Sequence, residues 1–420
     1  MNQLILHNNE LRQSIDTFKN NKSSDYIDLD SIDRTLRGFL SIEQMKLVGA
    51  FFTGQELAKK TIDSFNIAIT SNSVILDPTC GAGNLLIECS RKLKVKKNLS
   101  DTLKEWGQIL RGYDLYESFI DASKLRIIIE ALSRGVNKDC NIEEALKYLP
   151  HVKVKDAMTV TASELSDVTH AIMNPPFIDW HSPKKDYWKQ GKVNSAGVIF
   201  DHFIRFLPND CNISAILPDV LRSGSRYQDF RNFISSEMNA NCQVWGRFNH
   251  QTDVDVFILS GLKKPFCQNS IEWFTDLGRY TRLSEYFNVR VGPLVAYRDP
   301  ETGPCYPYFH PKNSPIWSTV TNVTEKRRFE GTVLMPPFVL VKRTSSPSDR
   351  YRASATIINL KELVAVENHM LILIPKNGKL ADCKKLLKIL KSGKTNDFLN
   401  HRARMRHLTV GVVKDIPVNW

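Results

Sequence analysis

Short apolar runs recur along the chain at intervals that leave room for one amphipathic segment between each pair. SVILDP, ILRGYDL, HVKVKDAM, THAIMNP, NISAILP and DVFILSG read as strands, most of them apolar throughout as strands covered on both faces are. SFIDASKLRIIIEALSRG and AGVIFDHFIRFL repeat their apolar positions at helical spacing. Strand followed by helix, repeated from about residue 46 to 285, predicts an α/β domain built on a mostly parallel sheet. Residues 1–45 are more polar and predict a helical leader broken by a charged loop at KNNKSSD. Near 290–315 the texture changes to a Pro- and Gly-rich stretch with interleaved aromatics, VGPLVAYRDPETGPCYPYFHPKNSP. Two further apolar strands, in MPPFVLVKR and HMLILIP, and several basic helical stretches follow it. The expected division is 1–45 leader, 46–288 α/β domain and 289–420 a second, α+β domain.

Charge sharpens that division. The net charge is +12, and residues 281–420 hold 23 Lys and Arg against 11 Asp and Glu, so the whole excess lies in the last third. A basic domain of this kind fits a polyanion, because clustered cations release condensed counterions when they meet phosphates. No run reaches the roughly 18 apolar residues of a membrane span, and the N-terminus MNQLILHNNELRQ lacks the pattern of a signal peptide. The eight cysteines contain no CxxC pair, which argues against a zinc site or a disulfide framework. A cytoplasmic protein without a metal site or a membrane partner is expected.

The candidate chemistry sits at strand ends. In SVILDPTCGAGNLLIE a strand ends at Asp77 and turns through Gly81 and Gly83 into a helix. The glycines let backbone approach a ligand closely, but a phosphate cradle would want a Lys and the entrance here is acidic. That suits a cationic ligand. Asp114 lies 37 residues further on at the end of GYD, where a doubly wound fold presents a carboxylate to ribose hydroxyls. Asp156 ends the next strand, where it can accept from an adenine amino group.

The fourth strand runs into HAIMNPPFIDW, residues 170–180. Pro175 and Pro176 can neither extend a sheet nor continue as helix, so the turn after Asn174 is stiff. An exocyclic amine is a poor nucleophile, since its lone pair is conjugated into the ring. Two acceptors, the Asn174 side-chain oxygen and the Pro175 carbonyl, can bind its two hydrogens and draw the nitrogen towards a tetrahedral shape. Phe177 offers a flat face to a base, worth roughly 1–3 kcal/mol.

NPPF, with DPTCGAG about a hundred residues before it, resembles the DNA adenine-N6 methyltransferases of the γ arrangement. The resemblance covers about 46–265 and implies a Rossmann-like S-adenosylmethionine-dependent methyltransferase sheet, followed by a target recognition domain. It implies that Asn174, Pro175, Pro176 and Phe177 form the catalytic turn. S-adenosylmethionine would be held by Asp77, Pro78, Thr79, Cys80, Gly81, Gly83, Asn84, Asp114, Asp156 and Ala157. A further family motif matches GAFFTGQELAKKTID, with Phe52 and Thr53 in register to help hold the methionine carboxylate; Gly54 stands where the family commonly has Pro. Cytosine-N4 enzymes more often carry Ser at the position of Asn174, so adenine is expected. The implied partner is double-stranded DNA, met by base flipping in a restriction-modification system, with a separate restriction endonuclease as a further partner because no Asp…Glu-x-Lys nuclease core is found. Lys342, Arg343, Arg350 and Arg352, together with Arg402 and Arg404 of HRARMRH, are expected to contact DNA. NPPF alone also resembles enzymes that methylate RNA bases or glutamine amides in proteins, and a DNA-binding subunit with little activity is the third alternative.

Overall fold

The computed structural model describes residues 2–18, 53–248, 254–265, 271–275 and 278–420. Contacts divide the chain into two compact units, 1–222 with 226–272, and 223–225 with 273–420.

The first unit is built on a seven-stranded sheet. Its strands, numbered in chain order, are β1 (Ile75–Asp77), β2 (Leu110–Asp114), β3 (Val152–Val154), β4 (His170–Met173), β5 (Asn212–Pro218), β6 (Met238–Arg247) and β7 (Asp255–Lys263). They lie side by side in the order β3-β2-β1-β4-β5-β7-β6. The first five are mutually parallel, with Ile75 opposite both Leu110 and His170. β7 inserts antiparallel between β5 and β6. Every residue of β1, β4 and β5 is buried, as continuous apolar runs flanked by strands on both sides should be. Because β1 to β4 point the same way, Asp77, Asp114, Asp156 and Asn174 all emerge at one edge of the sheet.

The helices that flank this sheet bury long apolar faces. Glu117–Ser133 (α5 below) places Leu125, Ile127, Ile128 and Leu132 in the core together with Leu86 and Leu103. Counting from the N-terminus, α1 is Asn2–Thr17, α2 Gln55–Asp63, α3 Asn84–Lys92, α4 Leu99–Ile109 and α5 Glu117–Ser133. The leader is not a separate element where it is described. Asn8 donates to the Ser118 carbonyl at 2.9 Å and Arg12 pairs with Asp121 at 2.6 Å, which fastens α1 to α5. The rest of the expected leader, 19–45, lies outside the described residues.

The second unit carries a five-stranded sheet ordered Phe287–Val291, Met370–Pro375, Phe338–Lys342, Ala355–Ile358, Thr319–Val320. Its apolar face is covered by helices Leu380–Leu390 and Gly393–Arg402, with Leu371, Leu373, Cys383, Leu386 and Leu399 buried together. Contacts divide the units after Glu272, whereas the expected boundary was 288. Residues 287–291 pair with Leu371 to Pro375, and a strand cannot be parted from the sheet whose hydrogen bonds it completes. Among the described residues no helix is long and apolar enough to cross a membrane, and no cluster of metal-binding side chains occurs.

Candidate active site

At the carboxyl edge of β1 the chain must turn at once into α3. Gly81 and Gly83 take φ of +52° and +86°, and a Cβ on Gly83 would collide with the Ser123 hydroxyl of α5. Asp77 is buried, 1% exposed, and accepts from the Thr79 N–H at 3.1 Å. Asp114 accepts from the Gly81 N–H at 3.2 Å and the Tyr116 N–H at 3.0 Å, so it ties the turn after β1 to the turn after β2. Burial raises the pKa of both carboxyls above the usual range, that of Asp77 to about 8, with the negative charge of Asp114 adding to the shift. Asp156 is exposed and accepts from the Met158 N–H at 2.8 Å.

Asn174 follows β4 directly. Its side-chain amide donates to the Thr53 hydroxyl at 2.9 Å. Thr53 is in turn held through its carbonyl by the Asn84 amide at 2.6 Å, and buried Arg126 donates to Asn84 Oδ1 at 2.6 Å and to the Ala82 carbonyl. Beyond Asn174 the two prolines lead to a turn pinned by Ser195. The Ser195 hydroxyl donates to the Pro176 carbonyl and accepts from the Ile178 N–H at 3.1 Å.

These groups share one cavity of about 230 Å³. Of the expected residues, Thr53, Asp77, Pro78, Thr79, Cys80, Gly81, Asn84, Asp114, Asp156, Ala157, Asn174 and Pro176 line it. Gly83 shapes the turn behind it and Pro175 is buried. Phe52 lies outside the described residues. Phe177 packs against the apolar core with its ring edge-on to Phe248, centroids 5.7 Å apart. The wall also includes residues the sequence reading missed, among them Leu115, Tyr116, Phe119, Lys155, Met158, Trp180 and Ile199. Leu115 carried a usable signal, since a large apolar side chain directly after a strand-ending acid, here 61% exposed, is out of place as structure alone.

In the second unit Lys342 and Arg343 are half-buried and Arg350 is exposed against Tyr351. Arg402 stacks on Phe274 and reaches Asp415 at 3.3 Å, and Arg404 is half-buried. Arg352 must be corrected. It is 0% exposed, and its guanidinium donates to Ser345 Oγ, Asn400 Oδ1 and the carbonyls of Ala403 and Met405. It knots the 345–352 loop to the 400–405 segment from inside, and no phosphate reaches it.

A sheet ordered 3-2-1-4-5-7-6 with its seventh strand reversed, carrying acids and an Asn-Pro-Pro turn on one edge, defines a Rossmann-like, S-adenosylmethionine-dependent methyltransferase fold. The chain belongs to the N-6 DNA methylase family, whose model matches residues 34–245, just over half of its length. Among solved structures it is similar to the type IIL restriction-modification enzyme MmeI in complex with DNA, at 10% identity and a TM-score of 0.60, over 93% of this chain and 70% of that one. It also resembles the type IIG restriction endonuclease BpuSI, at 14% identity and a TM-score of 0.47, over 93% of this chain and 60% of that one. The M protein of the type I restriction enzyme EcoKI matches at 15% identity and a TM-score of 0.37, over 63% and 55% of the two chains. The chain thus spans about three fifths of BpuSI. No curated protein matches it.

Proposed function

We propose that the protein transfers a methyl group from S-adenosylmethionine to the N6 amino group of adenine in duplex DNA, as the modification activity of a restriction-modification system. The observation that carries this reading is the Asn174 amide, oriented by Thr53 in the same cavity as the acidic ends of β1 and β2.

The cavity suits the methyl donor on its own chemistry. Asp77 and Asp114 are carboxyls that burial leaves short of a counter-charge, and a sulfonium and an ammonium would supply one. The Thr79 hydroxyl is buried in the wall with no hydrogen-bond partner among the described residues, and a polar ligand group would satisfy it. Asp77, Thr79, Gly81, Asp114 and Asp156 would hold the donor, which brings an electrophilic methyl group.

The residues of the chain supply position. Because the Asn174 amide nitrogen donates to Thr53, its oxygen faces away from that bond and accepts one hydrogen of the target amine. The Pro175 carbonyl accepts the other. Ser195 holds the turn, so neither acceptor has to be organised as the base arrives. The adenine has to leave the duplex, since its N6 has one hydrogen committed to pairing. The basic second unit, through Lys342, Arg343, Arg350, Arg402 and Arg404, contributes phosphate contacts.

Expression in a host that lacks adenine methylation, followed by sequencing that detects N6-methyladenine, tests the reading and returns the recognition sequence. Asn174→Ala should abolish the signal. Host DNA free of N6-methyladenine despite folded, donor-binding protein would refute it.

A further inference from the structure

The catalytic turn runs straight into a short hairpin, Asp179–His181 paired antiparallel with Lys192–Asn194. Trp180 stands opposite Val193 and His181 opposite Lys192. Side chains alternate faces along a strand, so Trp180 and Val193 share one side and His181 and Lys192 the other. The environment agrees: Val193 is buried and Trp180 lines the cavity, while His181 and Lys192 are exposed. The connecting loop exposes Lys184 and Lys185. Two other charges of the loop are already matched, Asp186 with Arg205 and Lys189 with Asp229, each at 3.4 Å. Lys184, Lys185 and Lys192 make no ion pair among the described residues.

This hairpin is held stiffly. The Ser182 N–H donates to the Gly191 carbonyl at 2.9 Å, and Arg226 donates to the carbonyls of Lys189 and Gln190 at 3.1 and 2.6 Å. The Tyr187 hydroxyl donates to the Asp201 carboxylate, and Trp188 is buried among the rings of Tyr187, Tyr227 and Phe230. Lys184 and Asp186 take φ of +55° and +51°, a region non-glycine residues occupy only where their surroundings hold them, and such residues gather at ligand clamps. A rigid element with an aromatic ring turned to the cavity and unmatched cations turned to solvent fits an extruded nucleotide and the strand that carries it.

We propose that this hairpin grips the target strand, with the Trp180 indole stacking on the extruded base and Lys184, Lys185 and Lys192 contacting the phosphates beside it. The proposal rests on the reading of the active site given above, and assigns phosphate contacts to a unit whose overall charge balances.

The test uses the full chain and two readouts. Binding to sheared genomic DNA from an unmethylated host is measured against salt. Replacing all three lysines (K184Q, K185Q and K192Q together) should lower the slope of log K against log salt by about 2.7, three contacts at roughly 0.9 each. An unchanged slope overturns the phosphate contacts. Methyl transfer to the same DNA is then followed at saturating donor. Trp180→Ala should lower kcat/KM for DNA about 10- to 100-fold, the range expected for losing one stacked base, with Trp180→Phe recovering most of it and donor affinity kept within about threefold. Full activity in Trp180→Ala, or a donor affinity that falls as far as kcat/KM, overturns the stacking role. Wild-type protein that forms no N6-methyladenine would sink the functional reading, yet leave the salt-slope comparison free to support or refute the lysine contacts.

Discussion

If Asp77 faces the cation of the methyl donor as proposed, the donor's affinity should depend on pH. Its carboxyl has a pKa of about 8 in the folded chain, so at pH 6 it is almost entirely protonated. A cation bound opposite it requires the charged form, and the proton must leave first. At pH 6 that costs on the order of 3 kcal/mol, or roughly a hundredfold in Kd. Between pH 6 and 8 the Kd should therefore fall by close to tenfold per unit, and level off above 8. Asp77→Asn keeps the shape of the side chain and removes the titration. Wild type and variant should bind with similar affinity at pH 6 and diverge as the pH rises, while any slope from the donor's own amine appears in both. Calorimetry in buffers of different ionisation enthalpy counts the protons directly, with close to one released per donor bound at pH 6.5 by the wild type and fewer by the variant. Parallel pH profiles, or equal proton release, would refute the placement of a cation at Asp77.

The same carboxyl affects stability with a defined sign. Its folded pKa lies above its unfolded value, so its contribution is full in acid and is lost as the pH rises towards about 8. The Tm of Asp77→Asn should accordingly exceed that of wild type by an amount that grows steadily from about pH 4 to pH 8 and then levels off. Asn174→Ala should lower kcat by about 10²–10³ while donor binding by calorimetry survives, as expected when one preorganised contact is removed. Arg352→Ala leaves the carbonyls of Ala403 and Met405 without this donor and should cost on the order of 2–4 kcal/mol in denaturant unfolding, whereas exposed Arg350→Ala should leave the unfolding midpoint unchanged and weaken DNA binding. Gly83→Ala forces a side chain into a left-handed turn against Ser123 and should be destabilising by at least 1 kcal/mol, with Ser123→Ala restoring part of the loss.

Strands buried on both faces were legible because their residues are apolar without interruption: β1, β4, β5 and β7 all appear in the hydrophobic pattern. The edge strand β6 was not, because NANCQVWGR alternates exposed and half-buried residues and carries a bulge at Val244 to Gly246, so no apolar run marks it. The strand-end and turn positions of Gly83, Asp77 and Asn174 were readable from type and spacing alone. Trp180 was not, since only its pairing with Val193 turns it towards the cavity. Arg352 shows the opposite limit. Its neighbours in sequence suggest a basic surface loop, and its burial depends on Asn400 and Ala403, some fifty residues away. The expected boundary at 288 followed the Pro- and Gly-rich texture, whereas the division by contacts follows hydrogen bonds to a strand that begins at Met370.

The cavity wall is drawn from residues 53–199, all of them upstream of the 148 residues from 273 to the end. On a ribosome adding roughly 5–20 residues per second, those last residues take about 7–30 s to make. Every side chain that lines the cavity has been synthesised before that interval starts. A nascent chain interrupted within it carries the whole cavity wall and lacks most of the protein's basic excess. Premature stops and frameshifts after residue 272 should thus yield fragments that keep the proposed donor cavity and the hairpin lysines but lose the basic unit, so that they would compete for the donor while holding DNA only weakly, a burden distinct from simple loss of the activity.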